Sequence, residues 1–385
     1  MPILRILLCA ALLGALMHDA TAAPITPSRD DEVIEVLPAL PGGRAEARRV
    51  RQQLAQRPND PALALAAAKA YLDQAHEQGD PRFAGMAMAA IDGWRDAAST
   101  PDDVLMMRAT LQQYLHDFDA SVGTLTTLIA RGGAPRPQAW LTLATVRRVQ
   151  GRYAESDAAC AEVLRAGAAV HGNACIAENA ALRGDQTRAR AMFAALLADA
   201  RQPATTRAWL TTSLAELEQR AGRPAAAEAA FRAALALDAD PYTTLDYADF
   251  LIEQKRPAQA LALLKGQARS DAVLLRLAIA GTQARAPGAA ADAAEMRERI
   301  ALANERPDAK VFHGREQAMF ALQVDGDAAR ALELARGNVA QQREPLDLVV
   351  LAQAARASGR SEAIDAAQKL AADIGLVDAR IKALR

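Results

Sequence analysis

His171 and Cys175 stand four residues apart, the spacing that puts two side chains on one face of a helix. An imidazole in that position can hold a thiol as a reactive thiolate. No third group that would orient the histidine is evident, so an exposed histidine beside a buried cysteine fits the same residues. Two further pairs, Glu216/Glu218 and Asp246/Asp249, supply the twin carboxylates that glycoside hydrolysis uses. In a chain with 24% charged residues they read instead as solvated helix faces. The histidines, His18, His76, His116, His171 and His313, are scattered, and no Cys-x-x-Cys gathers the several donors that a metal needs. Also missing are the G-x-x-x-x-G-K-[ST] phosphate loop, the G-x-G-x-x-G turn, the H-E-x-x-H helix and the G-x-S-x-G elbow. The residues therefore predict no metal, no cofactor and no catalytic centre.

What must position these side chains is a stack of helices. Hydrophobic residues fill 51% of the 385 positions and aromatics only 4%, so alanine supplies much of the apolar surface. That composition favours closely packed helices over strands, which prefer β-branched and aromatic side chains. Beyond residue 44 the apolar period stays near 3.6, and no alternating stretch reads as a strand. An all-α chain is expected. Lys and Arg (45) nearly balance Asp and Glu (46), and the formal net charge of −1 speaks against nucleic acid or a polybasic membrane patch.

Residues 1–22 read as an export signal. Arg5 supplies the positive charge, Ile6 to Met17 is an uncharged apolar run, and Ala20-Thr21-Ala22 gives the small-x-small cleavage pattern. The run is too short for a spanning helix, so a mature chain beginning at Ala23 carries no integral membrane segment. Its expected place is the periplasm or the medium; an uncleaved anchor is the other reading. Residues 23–43 form an extended arm, because Pro24, Pro27, Pro38 and Pro41 forbid one continuous helix.

Breakers then recur regularly: Gly151-Arg152, Gly184-Asp185, Gly222-Arg223, Lys255-Arg256, Gly326-Asp327 and Gly359-Arg360. A second helix follows each turn, with a small residue and a larger one four later. The pairs are Ala87/Ile91, Ser121/Leu125, Ser156/Cys160, Ala189/Phe193, Ala227/Phe231, Ala260/Leu264 and Ala331/Ala335. The first six small residues are spaced by 34, 35, 33, 38 and 33 positions. The next gap, 71, is two periods and places a degraded unit near 284–299.

A period near 34 built from helix-turn-helix units resembles the tetratricopeptide repeat. Trp140, Leu143 and Ala144 are similar to its W-x2-L-G opening, with alanine in place of glycine. Ala189 with Phe193, and Ala227 with Phe231, match its A-x3-F, and Asp60-Pro61 and Asp240-Pro241 resemble its proline junctions. Arg147 departs, where the family favours tyrosine. The resemblance implies a right-handed α-solenoid of about nine stacked units over residues 44–385.

It also implies a use. In tetratricopeptide proteins the first helix of each unit lines a concave groove that holds a protein or peptide segment. By register that face holds Tyr114, Leu141, Thr145, Arg148, Glu178, Trp209, Glu216, Arg220, Tyr242, Asp249, Glu253 and Phe320. Aromatic and arginine anchors carry binding energy, although Trp209 and Tyr242 fit a core between units equally well. The expected function is a non-catalytic exported scaffold for a protein or peptide partner, similar to those that serve envelope assembly or secretion. The alternative is a helical-toroid enzyme acting on envelope polysaccharide, which needs convergent acids in a central cavity. Cys160 and Cys175 fall on consecutive helices, the second of one unit and the first of the next. They are either a disulfide closing a 15-residue loop or two buried free thiols.

Overall fold

Several turns in the array end one helix and launch the next by the same device. After Gly151, Gly184 and Gly222, the following amide reaches back five residues: Arg152 N–H to Arg147 O (2.8 Å), Asp185 N–H to Ala180 O (2.9 Å), Arg223 N–H to Glu218 O (2.9 Å). These bonds satisfy carbonyls that a helix end would leave orphaned. Lys255 takes the same left-handed backbone at φ 59° without being glycine. Asp117, Asp185 and Asp327 then cap the next helix, each accepting from the amide three residues on.

The computed structural model describes residues 44–78, 82–96, 98–132, 136–305 and 314–384, so the expected signal (1–22) and arm (23–43) lie outside the described residues. Among the described residues there are twenty α-helices and no strand. Helix α1 (Arg44–Gln56) precedes nine helix pairs. They are α2 (Pro61–Gln78) with α3 (Arg82–Ala90), α4 (Asp102–Tyr114) with α5 (Phe118–Ala130), and α6 (Pro137–Val149) with α7 (Tyr153–Arg165). Next come α8 (Ala169–Leu182) with α9 (Gln186–Leu197), α10 (Ala204–Arg220) with α11 (Pro224–Leu237), and α12 (Pro241–Glu253) with α13 (Pro257–Leu264). The last are α14 (Asp271–Ala284) with α15 (Ala289–Asn304), α16 (Gly314–Phe320) with α17 (Ala328–Val339), and α18 (Pro345–Ala357) with α19 (Ser361–Asp373). A π-turn, Ala321–Asp325, extends α16, and the short α20 (Ala379–Lys382) ends the chain.

The unit from Ala47 onward is a right-handed α-solenoid. Its even-numbered first helices, α2 to α18, pack on one another in succession, whereas the odd-numbered second helices pack mainly on their neighbours in sequence. First helices therefore form the inner layer and second helices the outer one. All seven small/large pairs are buried, each residue at most 1% exposed. The small member lets the helices close up: the Ser121 and Ser156 hydroxyls donate to Ala109 O (2.9 Å) and Ala144 O (2.8 Å) of the preceding helix. The larger member fills the space beside it, as Phe231 does against Tyr247 and Phe250, with ring centroids 5.4 and 5.6 Å away.

The stretch near 284–299 is degraded in pattern, but the unit it belongs to is complete, α14 with α15. Ala293 occupies the buried small slot. Arg297 stands where the larger apolar residue belongs, with its guanidinium 5.4 Å over the Phe320 ring. Arg297 is largely exposed, and the buried large residue is Met296, one position earlier, which hides the unit from a pattern with four-residue spacing.

The array also bends back on itself. Arg343 N–H donates to Val149 O at the end of α6 (2.7 Å), and Val377 N–H to Leu182 O at the end of α8 (2.8 Å). The Arg380 guanidinium reaches Glu253 at the end of α12 (3.3 Å), while Leu376 and Ile381 are buried. Ile374, Val377 and Ala379 lie against the turns after α6, α8 and α10, so residues 374–381 run across the ends of four inner helices. No helix among the described residues is long and apolar enough to cross a membrane.

Candidate functional site

The inner layer presents one stripe per helix, because residues three and four apart share a face. On α6 the stripe reaches Arg148, whose guanidinium pairs with Glu178 of α8 and lies 3.6 Å from Cys175 Sγ. The Ser213 hydroxyl on α10 donates to the other oxygen of Glu178 (2.9 Å). Burial, and then the neighbouring Arg220 charge, pull the Arg148 pKa down to about 10. On α10 and α12, Glu216 accepts from Tyr242 Oη (2.8 Å) and from Arg220 (3.3 Å). Asp246 hydrogen-bonds Glu216, and burial and then that neighbour hold its carboxyl well above the usual carboxylate range. The same acids, Asp246 first, push the Tyr242 phenol well up. Asp249 pairs with Arg276 of α14 (2.5 Å), and Glu253 accepts from Gln219 (2.8 Å) and Arg380 (3.3 Å).

Most of the expected groove residues fall on this wall, in three groups. Arg148, Glu178, Glu216, Arg220, Tyr242, Asp249 and Glu253 join the polar network, and the Tyr242 ring is 61% exposed on the inner face. Leu141 packs beside Trp140, and Thr145 spends its hydroxyl on Leu141 O (3.0 Å). Trp209 is shared: half-buried against the α8–α10 core, it stacks on His171 with centroids 5.6 Å apart. Tyr114 is an inter-unit contact, donating to Ala75 O (3.2 Å) and meeting His76 edge-on at 5.0 Å. Phe320 is a correction. It is 3% exposed, in the core position that Phe250 holds on α12, one residue round from the inner face.

The chemistry expected of single pairs also changes. Cys160 and Cys175 are joined, Sγ to Sγ at 1.96 Å with Cα atoms 5.7 Å apart, so Cys175 is no thiolate for His171. Glu218 is not a solvated partner of Glu216, because it is buried on the other side of α10 between Arg190 and Arg223. Asp246 does not lie on a solvated face but packs against Glu216. Glycosidase carboxyls stand about 5–5.5 Å or 6.5–9.5 Å apart; these two touch, and both Glu216 oxygens have donors. No group of three metal-binding side chains occurs among the described residues.

No protein-family model matches the sequence, and no curated protein matches it. Among solved structures the fold has a counterpart. The array is similar to a Rap protein complexed with Competence and Sporulation Factor. The TM-score is 0.50 at 12% identity, over 89% of this chain and 93% of that one. The inner and outer helix layers and the likeness to Rap fit a tetratricopeptide-type repeat fold.

Sequence reasoning missed a second region of the wall. A cleft of about 640 Å³, part of it open to solvent, runs between α10, α12, α14, α16 and α18, with Arg380 of α20 at its edge. Its floor includes Ile252, Ile279, Met319 and Val350, and Gln219, Gln283, Gln323 and Gln353 line it. The signal was available: a glutamine recurs in the C-terminal half of four first helices. Glutamine is common on solvated helix faces, so the recurrence alone does not mark a site.

Proposed function

We infer that the inner wall of the solenoid binds a protein or peptide segment, and that the chain is a scaffold without catalysis of its own. The observation that carries this reading is Tyr242. A large aromatic ring stands 61% exposed on the inner layer, its hydroxyl fixed by Glu216. An aromatic held rigidly by a polar tip offers apolar area at low entropic cost, the trait of an interface anchor. The likeness to Rap, a protein whose structure was solved in complex with Competence and Sporulation Factor, supports the same reading.

The export signal at residues 1–22 supports a site of action in the periplasm or beyond, as an exported tetratricopeptide-type scaffold serving envelope assembly or secretion. The test uses the full chain as bait in envelope extracts, followed by binding measurements on the purified partner. Tyr242→Ala should weaken the complex at least tenfold while the melting temperature is retained, since the ring buries little in the free protein. Unchanged affinity in a folded Tyr242→Ala protein refutes the reading.

A further inference from the structure

We propose that the seam between residues 343–381 and the turns after α6, α8, α10 and α12 is a clasp. It opens as one piece while the helices stay folded, and opening it widens the inner groove. The seam joins residues far apart in sequence and does so with few bonds. Its main-chain links are Arg343 N–H to Val149 O (2.7 Å) and Val377 N–H to Leu182 O (2.8 Å), and Arg380 adds an ion pair to Glu253 (3.3 Å). The rest is side chains laid on glycine turns: Ile374 on Gly151, Val377 on Gly184 and Ala379 on Gly222. A Cβ on these glycines would stand 3.1, 3.0 and 3.2 Å from the nearest atom of its partner. Because the turns carry no side chain there, the two faces meet without the interlocking of a helix core and can part without repacking one.

The closed seam is also incompletely satisfied. Tyr153 of α7, 3% exposed, belongs to one buried cluster with Leu182, Leu376 and Ile381, and its phenol feels Glu344 and Asp378 of the C-terminal unit. That hydroxyl has no hydrogen-bond partner among the described residues, nor do Nε of Arg148 and of Arg220, whose charges act on the same phenol. A buried polar group left unpaired costs stability, and water entering an opened seam removes that cost. Two voids flank the Arg380–Glu253 pair. One is the cleft already described; the other, about 510 Å³ and partly open to solvent, lies between α20 and the turns after α10 and α12. Gln219, Glu253 and Arg380 line both. The array supplies the motion, since the curvature of a solenoid is the sum of small rotations between units. Opening bears on the groove because Glu344, at the start of α18, lies within electrostatic reach of both Arg148 on α6 and Tyr242 on α12. The clasp thus holds α18 opposite the wall that a partner must reach; this consequence, unlike the clasp itself, rests on the binding reading above.

The test is native-state hydrogen exchange on the full chain, read at the amides of Arg343 and Val377 against those of α12 and α14. The two seam amides should exchange in one shared opening, at least tenfold faster than the helix interiors. Tyr153→Phe removes the unpaired hydroxyl and should slow exchange at both by about fivefold or more. Val377→Asp with Ala379→Glu, a wedge on the seam face, should abolish their protection and raise the radius of gyration in solution scattering with helicity retained. Seam amides that exchange only at the rate of α12 and α14 overturn the clasp, as do two that open independently. A wedge variant that expands only with loss of helicity, or does not expand, overturns it too. None of these readouts involves a partner, so this inference and the binding reading fail separately.

Discussion

Gly184 reports on the closure of the array more directly than any other residue. It sits at φ +88°, and a Cβ there would lie 3.0, 3.2 and 3.3 Å from Cγ2, Cβ and Cγ1 of Val377. Gly184→Ala therefore incurs two separate costs. The left-handed backbone costs an L-residue about 1–2 kcal/mol. The contact with Val377 adds an overpacking cost of about 1–3 kcal/mol, because that residue is held by its own N–H bond to Leu182 O. Gly359→Ala is the control. Its φ is +67° and nothing lies within 4 Å of its Cβ, so only the backbone cost applies. Urea unfolding of both proteins, with Val377→Ala alone and combined, separates the terms in a double-mutant cycle. The combined variant should recover about 1 kcal/mol or more, because two of the three close atoms are gone. Equal destabilisation by Gly184→Ala and Gly359→Ala, with no recovery, would refute the packing of residue 377 on that turn.

Other outcomes follow from single contacts. Unfolded without reductant, the protein should show no titratable thiol at Cys160 or Cys175. Reduction should lower stability by about 3 kcal/mol for a 15-residue loop, and two free thiols would exclude the bond. Asp246 has a carboxyl raised in the folded state, so the stability it confers is full below an unfolded pKa of about 3.9 and is lost as pH rises through the folded value. Asp246→Asn should accordingly be more stable than the parent at pH 8 and gain nothing at pH 3.5. A gain of equal size at both pH values would contradict a raised Asp246 carboxyl. Phe320→Ala should lower stability by about 3–5 kcal/mol as a core truncation. A folded variant of unchanged melting temperature would return Phe320 to the groove.

The repeat was legible because its physics is local. A small residue and a larger one four later fix how two helices approach, and that rule picked out pairs such as Ala189/Phe193 and Ala227/Phe231 from spacing alone. The unit at Ala293 escaped it because its buried large residue, Met296, comes three rather than four positions later. The stripe holding Arg148, Glu178, Glu216 and Tyr242 was legible from helical periodicity, but periodicity is blunt at its borders. One residue turns a helix face by about 100°, enough to move Phe320 from groove to core. The packing of Asp246 against Glu216, the glutamines lining the cleft and the docking of Val377 on α8 were not legible. Each depends on residues from separate helices whose meeting is decided by the curvature of the whole array.

That docking changes how the molecule should come apart. A stack of repeats in which each unit touches only its neighbours behaves as a one-dimensional chain: it frays from its ends and can open in the middle while the rest persists. A bond from residue 377 to residue 182 links unit nine to unit four, so the terminal unit cannot fray without breaking a contact near the centre. The array becomes cooperative over its length, and a local defect is felt globally. The penalty is kinetic. A contact spanning nearly 200 residues of sequence forms only after most units are in place, so the final step of folding should be slow and should begin from an open, spring-like intermediate.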